Sequence, residues 1–113
     1  MLKLKILIID DEADYCAIMK SYFQAKQHLV SLATTLREGL EALEKIQPDI
    51  LILDNNLPDG TGWEHVGDIT AKMPSLKIYL ISAHHQKPDF AALSNNITIW
   101  EKPISFSLLE KIL

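Results

Sequence analysis

Five short apolar runs alternate with stretches of helical periodicity along the chain, and that alternation leaves few folds open. The runs fall at 6–9, 29–33, 49–53, 76–81 and 97–100, a length that suits strands. Ile50-Leu51-Ile52-Leu53 is apolar at every position, so it reads as a strand buried on both faces. Between the runs, apolar residues return at helical spacing. Ala13, Cys16, Ala17 and Phe23 mark a helix over 13–25, and Leu36, Leu40, Leu43 and Ile46 mark one over 36–46. Trp63, Val66 and Ile69 mark a third over 63–72, closed by Met73-Pro74. Thr35, with Glu38 three residues on, is spaced as a capping box, and Pro48 ends that helix. Phe90 to Leu93 is apolar but brief and predicts a short or irregular fourth helix. The stretch 105–113 opens a last helix with Ser105 as N-cap. Strand followed by helix, five times over, predicts an α/β domain: a doubly wound, five-stranded parallel sheet with helices on both faces.

The 113 residues suit one domain, 1–113, large enough to bury a core unaided. The net charge of −4 and the lack of a basic patch argue against direct binding of nucleic acid or an anionic membrane. Cys16 is the only cysteine, which excludes a disulfide framework and a cysteine-based zinc site. No run reaches the ~18 apolar residues of a membrane helix, and the N-terminus lacks the features of a secretory signal. The expected location is the cytoplasm. The last helix has room for about two and a half turns, so we expect a chain cut from something longer, or one that ends early.

In a parallel sheet of this kind the carboxyl ends of the strands share one edge, where such sheets bind ligands. Those ends carry Asp10 and Asp11, Asp54, Ser82 and Lys102. Crowded carboxylates repel one another and call for a cation. All-oxygen ligation suits Mg²⁺, which takes one or two carboxylates together with a phosphate oxygen. Lys102 adds a positive charge and Ser82 a hydroxyl, and the set can hold a phosphoryl group in transit with Asp54 as nucleophile.

The set Ile9-Asp10-Asp11-Glu12, Leu53-Asp54-Asn55-Asn56-Leu57-Pro58-Asp59-Gly60-Thr61-Gly62, Ile81-Ser82-Ala83 and Glu101-Lys102-Pro103 resembles the receiver domain of two-component response regulators. Each motif is weak alone; all four in order, on the expected strand ends, are specific. The resemblance spans essentially the whole chain and implies a flavodoxin-like fold with strand order 2-1-3-4-5. It implies Asp54 as phosphoacceptor, with Asp11 holding Mg²⁺ directly, Asp10 partly through water, and Asn56 through its backbone carbonyl. It also implies that Ser82 bonds a phosphoryl oxygen, that Lys102 pairs with the phosphoryl group, and that Pro103 follows a cis peptide. The donor would be a sensor histidine kinase or a phosphotransfer protein. The output would go to an effector domain or a downstream protein, and a homodimer is open. The domain would be a regulatory phosphoacceptor, not an enzyme with a substrate of its own.

Two departures stand out. The family places an aromatic residue three before the lysine, where this chain has Ile99, and Trp100 is next to it. Neighbours on a strand face opposite sides, so Trp100 cannot replace it. The segment 82–102 is about two residues shorter than the family's, mostly around the fourth helix.

Other readings compete. Asp10 and Asp11 alone would be an acid pair at a helix start, Lys102 an ordinary salt-bridge lysine, and Ser82 a turn residue. His84 and His85 read as solvated loop histidines, with His84 a candidate gate for water near the phosphoryl group. A receiver-like interaction module with altered output or little phosphorylation is one alternative. A Mg²⁺-dependent phosphohydrolase is another, but the chain lacks a cap domain and an Asp-x-Asp loop. A flavodoxin-like FMN binder would need a phosphate loop where Asp10-Asp11-Glu12 would repel phosphate.

Overall fold

Strand β3 (Ile50–Asp54) is buried at all five positions and forms the centre of the sheet. In this computed structural model, residues 3–83 and 96–112 are described. The remaining elements are β1 (Lys5–Ile9), α1 (Ala13–Ala25), β2 (Leu29–Ala33), α2 (Leu36–Ile46), β4 (Asn56–Leu57), β5 (Gly60–Thr61), α3 (Val66–Lys72), β6 (Lys77–Ser82), β7 (Ile97–Glu101) and α4 (Phe106–Ile112). The sheet runs β2-β1-β3-β6-β7, all parallel. Counting only its own strands, that is the expected order 2-1-3-4-5. The segments expected from Phe90 to Leu93 and at His84 and His85 lie outside the described residues.

Strand parity sorts the core into two layers. Leu7, Ile9, Leu51, Leu53, Ile78 and Leu80 pack on one face with α2 and α3 through Leu36, Leu43, Val66 and Ile69. Ile6, Ile8, Ile50, Ile52 and Ile81 pack on the other with α1 and α4 through Cys16, Met19, Phe23, Leu109 and Ile112. Both faces are covered, so the strands must be apolar at nearly every position. The parity holds on β7: Ile97 and Ile99 join the first layer, and Trp100 the second, where its ring lies 4.9 Å from that of Tyr79.

Helix boundaries follow from local chemistry. The Thr35 side chain accepts the Glu38 N–H at 3.1 Å, half of the anticipated capping box. The neighbouring donors turn elsewhere: Asp59 accepts from Leu36 at 2.7 Å and from Arg37 at 2.9 Å. Gln47 closes α2 in the left-handed region at φ 53°. The stretch expected as one helix over 63–72 divides into a 3-10 turn, Gly62–His65, and α3. Gly39 belongs where α2 meets β1, because a Cβ there would stand 2.4 Å from Ile9 Cδ1. Among the described residues no helix is long and apolar enough to cross a membrane.

Candidate functional site

The parallel register lines up the strand ends. Ile9 pairs with Leu53, so Asp10 comes level with Asp54, the last residue of β3. Asp54 pairs with Ile81, which sets Ser82 one step beyond it at the end of β6. Lys102 follows β7, and its N–H donates to the Ser82 carbonyl at 2.9 Å. Four residues separated by as much as 92 positions, Asp10, Asp54, Ser82 and Lys102, thus meet at one sheet edge. Asp10, Asp54 and Ser82 are the only buried polar or charged residues among those described.

The Lys102 ammonium lies at the centre. It stands 2.7 Å from Glu12 Oε1, 3.1 Å from Asp10 Oδ2 and 3.4 Å from Asp54 Oδ2. Burial works against its charge. The bonds to Glu12 and Asp10, and the charges of Asp54 and Asp10, outweigh burial and hold Lys102 above the ordinary lysine range. Asp54 goes the other way. Burial first, then the Asp10 charge, raise its carboxyl to about 6 against the pull of Lys102 and the Asn56 N–H. It is therefore mostly ionised at neutral pH, in a site that disfavours the charge.

The supporting shell is polar and specific. Asp10 Oδ1 accepts the Glu12 N–H at 2.9 Å, and the Cys16 thiol donates to the Asp10 carbonyl at 3.2 Å. Burial, then the Asp10 charge, push that thiol up to about 11, so Cys16 is an inert core donor. Behind Asp54 the loop turns back through the short β4–β5 ladder. Asn55 fixes it, its carbonyl accepting from Gly62 at 3.0 Å and its Oδ1 from Trp63 at 3.3 Å. Gly62 is required by contact: a Cβ there would stand 2.4 Å from the Asp54 carbonyl oxygen. The Lys102–Pro103 peptide is cis, as the resemblance implies.

The donors fit a hard divalent cation. Asp10, Glu12 and Asp54 each present a carboxylate oxygen within 4.8 Å of the others. Asp10 Oδ2 is buried with the Lys102 ion pair at 3.1 Å as its one contact among the described residues, which leaves a lone pair for a further cationic partner. Glu12 enters this cluster, although the sequence offered it only as the acid that closes the Ile9-Asp10-Asp11-Glu12 motif. Asp11 is exposed and outside the cluster, and Asn56 is exposed with its N–H 3.5 Å from Asp54 Oδ1. Tyr15 was also not singled out from sequence. Its ring centroid lies 5.2 Å from Lys102 Nζ, and its hydroxyl accepts the Ile104 N–H. The acid that follows the pair was a signal for Glu12. Nothing local signals Tyr15, whose partners lie 87 and 89 residues away.

The family model described as response regulator receiver domain matches residues 6–113. The chain is 34% identical over 87 residues to the chemotaxis protein CheY of Listeria monocytogenes, covering 74% of this chain and 71% of that protein. It is 29% identical over 77 residues to the regulatory protein LuxO of Vibrio cholerae, covering 68% of this chain but only 17% of LuxO. The crystal structure of a CheY-like response regulator receiver domain protein from Methanospirillum hungatei superposes with a TM-score of 0.87 at 25% identity, over 98% of this chain and 91% of that one. The chain belongs to the receiver domain family of two-component response regulators.

Proposed function

We propose that this domain is a phosphorylation switch with Asp54 as phosphoacceptor. In the transfer an Asp54 carboxylate oxygen attacks the phosphorus of a phosphohistidine. The P–O bond forms as the P–N bond breaks, and the electron pair returns to the imidazole of the histidine kinase or phosphotransfer protein. The observation that carries this reading is the buried Asp54 carboxylate at its strand end, 3.4 Å from the ammonium of Lys102 and beside two further acids.

Each residue has a task. Asp54 is ionised at neutral pH, so it is a nucleophile without a separate base. Lys102 balances its charge beforehand and turns toward the phosphoryl oxygens once they arrive. The Ser82 hydroxyl, at the neighbouring strand end, bonds one of those oxygens and shifts toward it. Mg²⁺, held by Asp10, Glu12 and Asp54 with Asp11 and the Asn56 carbonyl as further donors, would neutralise charge on the transferring group. The change in charge biases two packings at Ser82 and so the output surface, and an effector domain or downstream protein reads the difference in the cytoplasm.

The test is incubation with acetyl phosphate and Mg²⁺ followed by intact mass. Wild type gains one base-labile phosphoryl adduct and Asp54→Asn gains none; an unmodified wild type, or a labelled Asp54→Asn, overturns the reading. The observation favouring the second reading, an interaction module with little phosphorylation, is that the Lys102 ammonium already stands among Asp10, Glu12 and Asp54. An unmodified wild type that still binds its partner would select it.

A further inference from the structure

Lys102 sits in a short segment with few means of attachment. Pro103 has no N–H, so the N–H groups of Lys102 and Ile104 are the only backbone donors from 102 to 104. The first is held by the Ser82 carbonyl, within the β6–β7 ladder. The second is held by a side chain from a different layer, the Tyr15 hydroxyl on the first turn of α1. The same tyrosine faces the ammonium with its ring, 5.2 Å from Nζ to centroid. Its ring packs into the α1/α4 layer with Ile104 beside it, so neither contact depends on a freely moving group.

The two contacts act on one residue from both ends. The hydroxyl fixes the backbone just after Lys102, and the ring limits where the ammonium can swing. Of its carboxylate contacts the closest is to Glu12, at 2.7 Å, against 3.4 Å to Asp54. Any loosening of the segment would let the ammonium follow Glu12, which is exposed, out of the site.

We propose that Tyr15 is the positioning residue for Lys102, its hydroxyl holding the chain after Pro103 and its ring holding the ammonium within reach of Asp54. The assignment rests on the reading of Asp54 as phosphoacceptor. It predicts a graded loss. Tyr15→Phe keeps the ring and loses the hydroxyl, and slows phosphorylation about fivefold. Tyr15→Leu loses both and slows it about tenfold or more.

The experiment measures the rate of adduct formation from acetyl phosphate with Mg²⁺ for wild type, Tyr15→Phe and Tyr15→Leu, alone and combined with Lys102→Ala. Melting curves run alongside confirm that each variant is folded. Positioning through Lys102 requires that Tyr15→Phe and Tyr15→Leu have no further effect on rate once Lys102 is alanine. A purely structural role would slow both backgrounds equally. The Lys102 ε-proton resonances supply a second readout: ring shifts persist in Tyr15→Phe and vanish in Tyr15→Leu. Tyr15 variants that label at the wild-type rate, or equal losses on both backgrounds, overturn the inference while leaving the Asp54 reading intact. An unlabelled wild type removes both.

Discussion

The carboxylate of Asp59 accepts the backbone N–H of Leu36 at 2.7 Å, so the loop behind the site caps the helix that precedes it in the chain. A second oxygen takes the Arg37 N–H at 2.9 Å, and these bonds, Arg37 first, hold the Asp59 carboxyl below its usual range. A depressed folded-state pKa means that the contribution is present above the unfolded value and lost as pH falls through the folded one. Asp59→Ala should therefore lower Tm at neutral pH, with the gap closing in acid. Asp59→Asn, which keeps an acceptor, should fall between. Thermal melts across this range check it, and a gap independent of pH would assign the effect to something other than the ionised cap.

Asp54 has the opposite sign. Its folded-state pKa is raised to about 6, so its contribution is greatest below the unfolded value near 3.8 and is lost as pH rises through 6. In metal-free buffer at neutral pH, Asp54→Asn should be the more stable protein, by on the order of 2–3 kcal/mol. Saturating Mg²⁺ should narrow the difference by stabilising wild type more than the variant. Denaturant titrations with chelator and with Mg²⁺ measure both, and an Asp54→Asn protein less stable than wild type in chelator would contradict the burial argument.

Removing the ammonium strands three acids. Lys102→Met leaves Asp10 and Asp54, both buried, with Glu12 beside them and no cation. The loss at neutral pH should be on the order of 3 kcal/mol. It should shrink below about pH 6 as Asp54 takes up a proton, and Mg²⁺ should restore much of it. Equilibrium unfolding at two pH values, with and without Mg²⁺, decides. A loss unaffected by either would mean that packing of the lysine stem, not charge, is what the site needs.

Gly62→Ala tests the loop against the phosphoacceptor. The added methyl would meet the Asp54 carbonyl oxygen at 2.4 Å and Leu53 at 3.0 Å. Backbone at a central strand end cannot give way, so the cost should be about 1–3 kcal/mol. Labelling by acetyl phosphate should slow as well, because the carboxylate shifts with its backbone. Wild-type stability together with wild-type labelling would show that the loop relaxes freely.

The local elements were the readable part of this chain. Helices over 13–25 and 36–46 and the strand over 29–33 fall where apolar spacing and capping residues place them. Asp10, Asp54, Ser82 and Lys102 were legible because parallel topology forces all strand ends to one edge. Asp59 entered only as part of the motif that follows Asp54, since a cap 23 residues back leaves no local trace. Glu12 looked like one more acid at a helix start, and its reach to Lys102 depends on where α1 leaves the sheet. The Asn56–Leu57 and Gly60–Thr61 ladder is too short to show periodicity of any kind.

Adjacent residues on β7 belong to different halves of the molecule, Ile99 to the α2/α3 side and Trp100 to the α1/α4 side. Lys102 lies two steps further on, so the strand that carries it is seated in both halves. A ligand clasped at the sheet edge thereby acts as one hand on two levers.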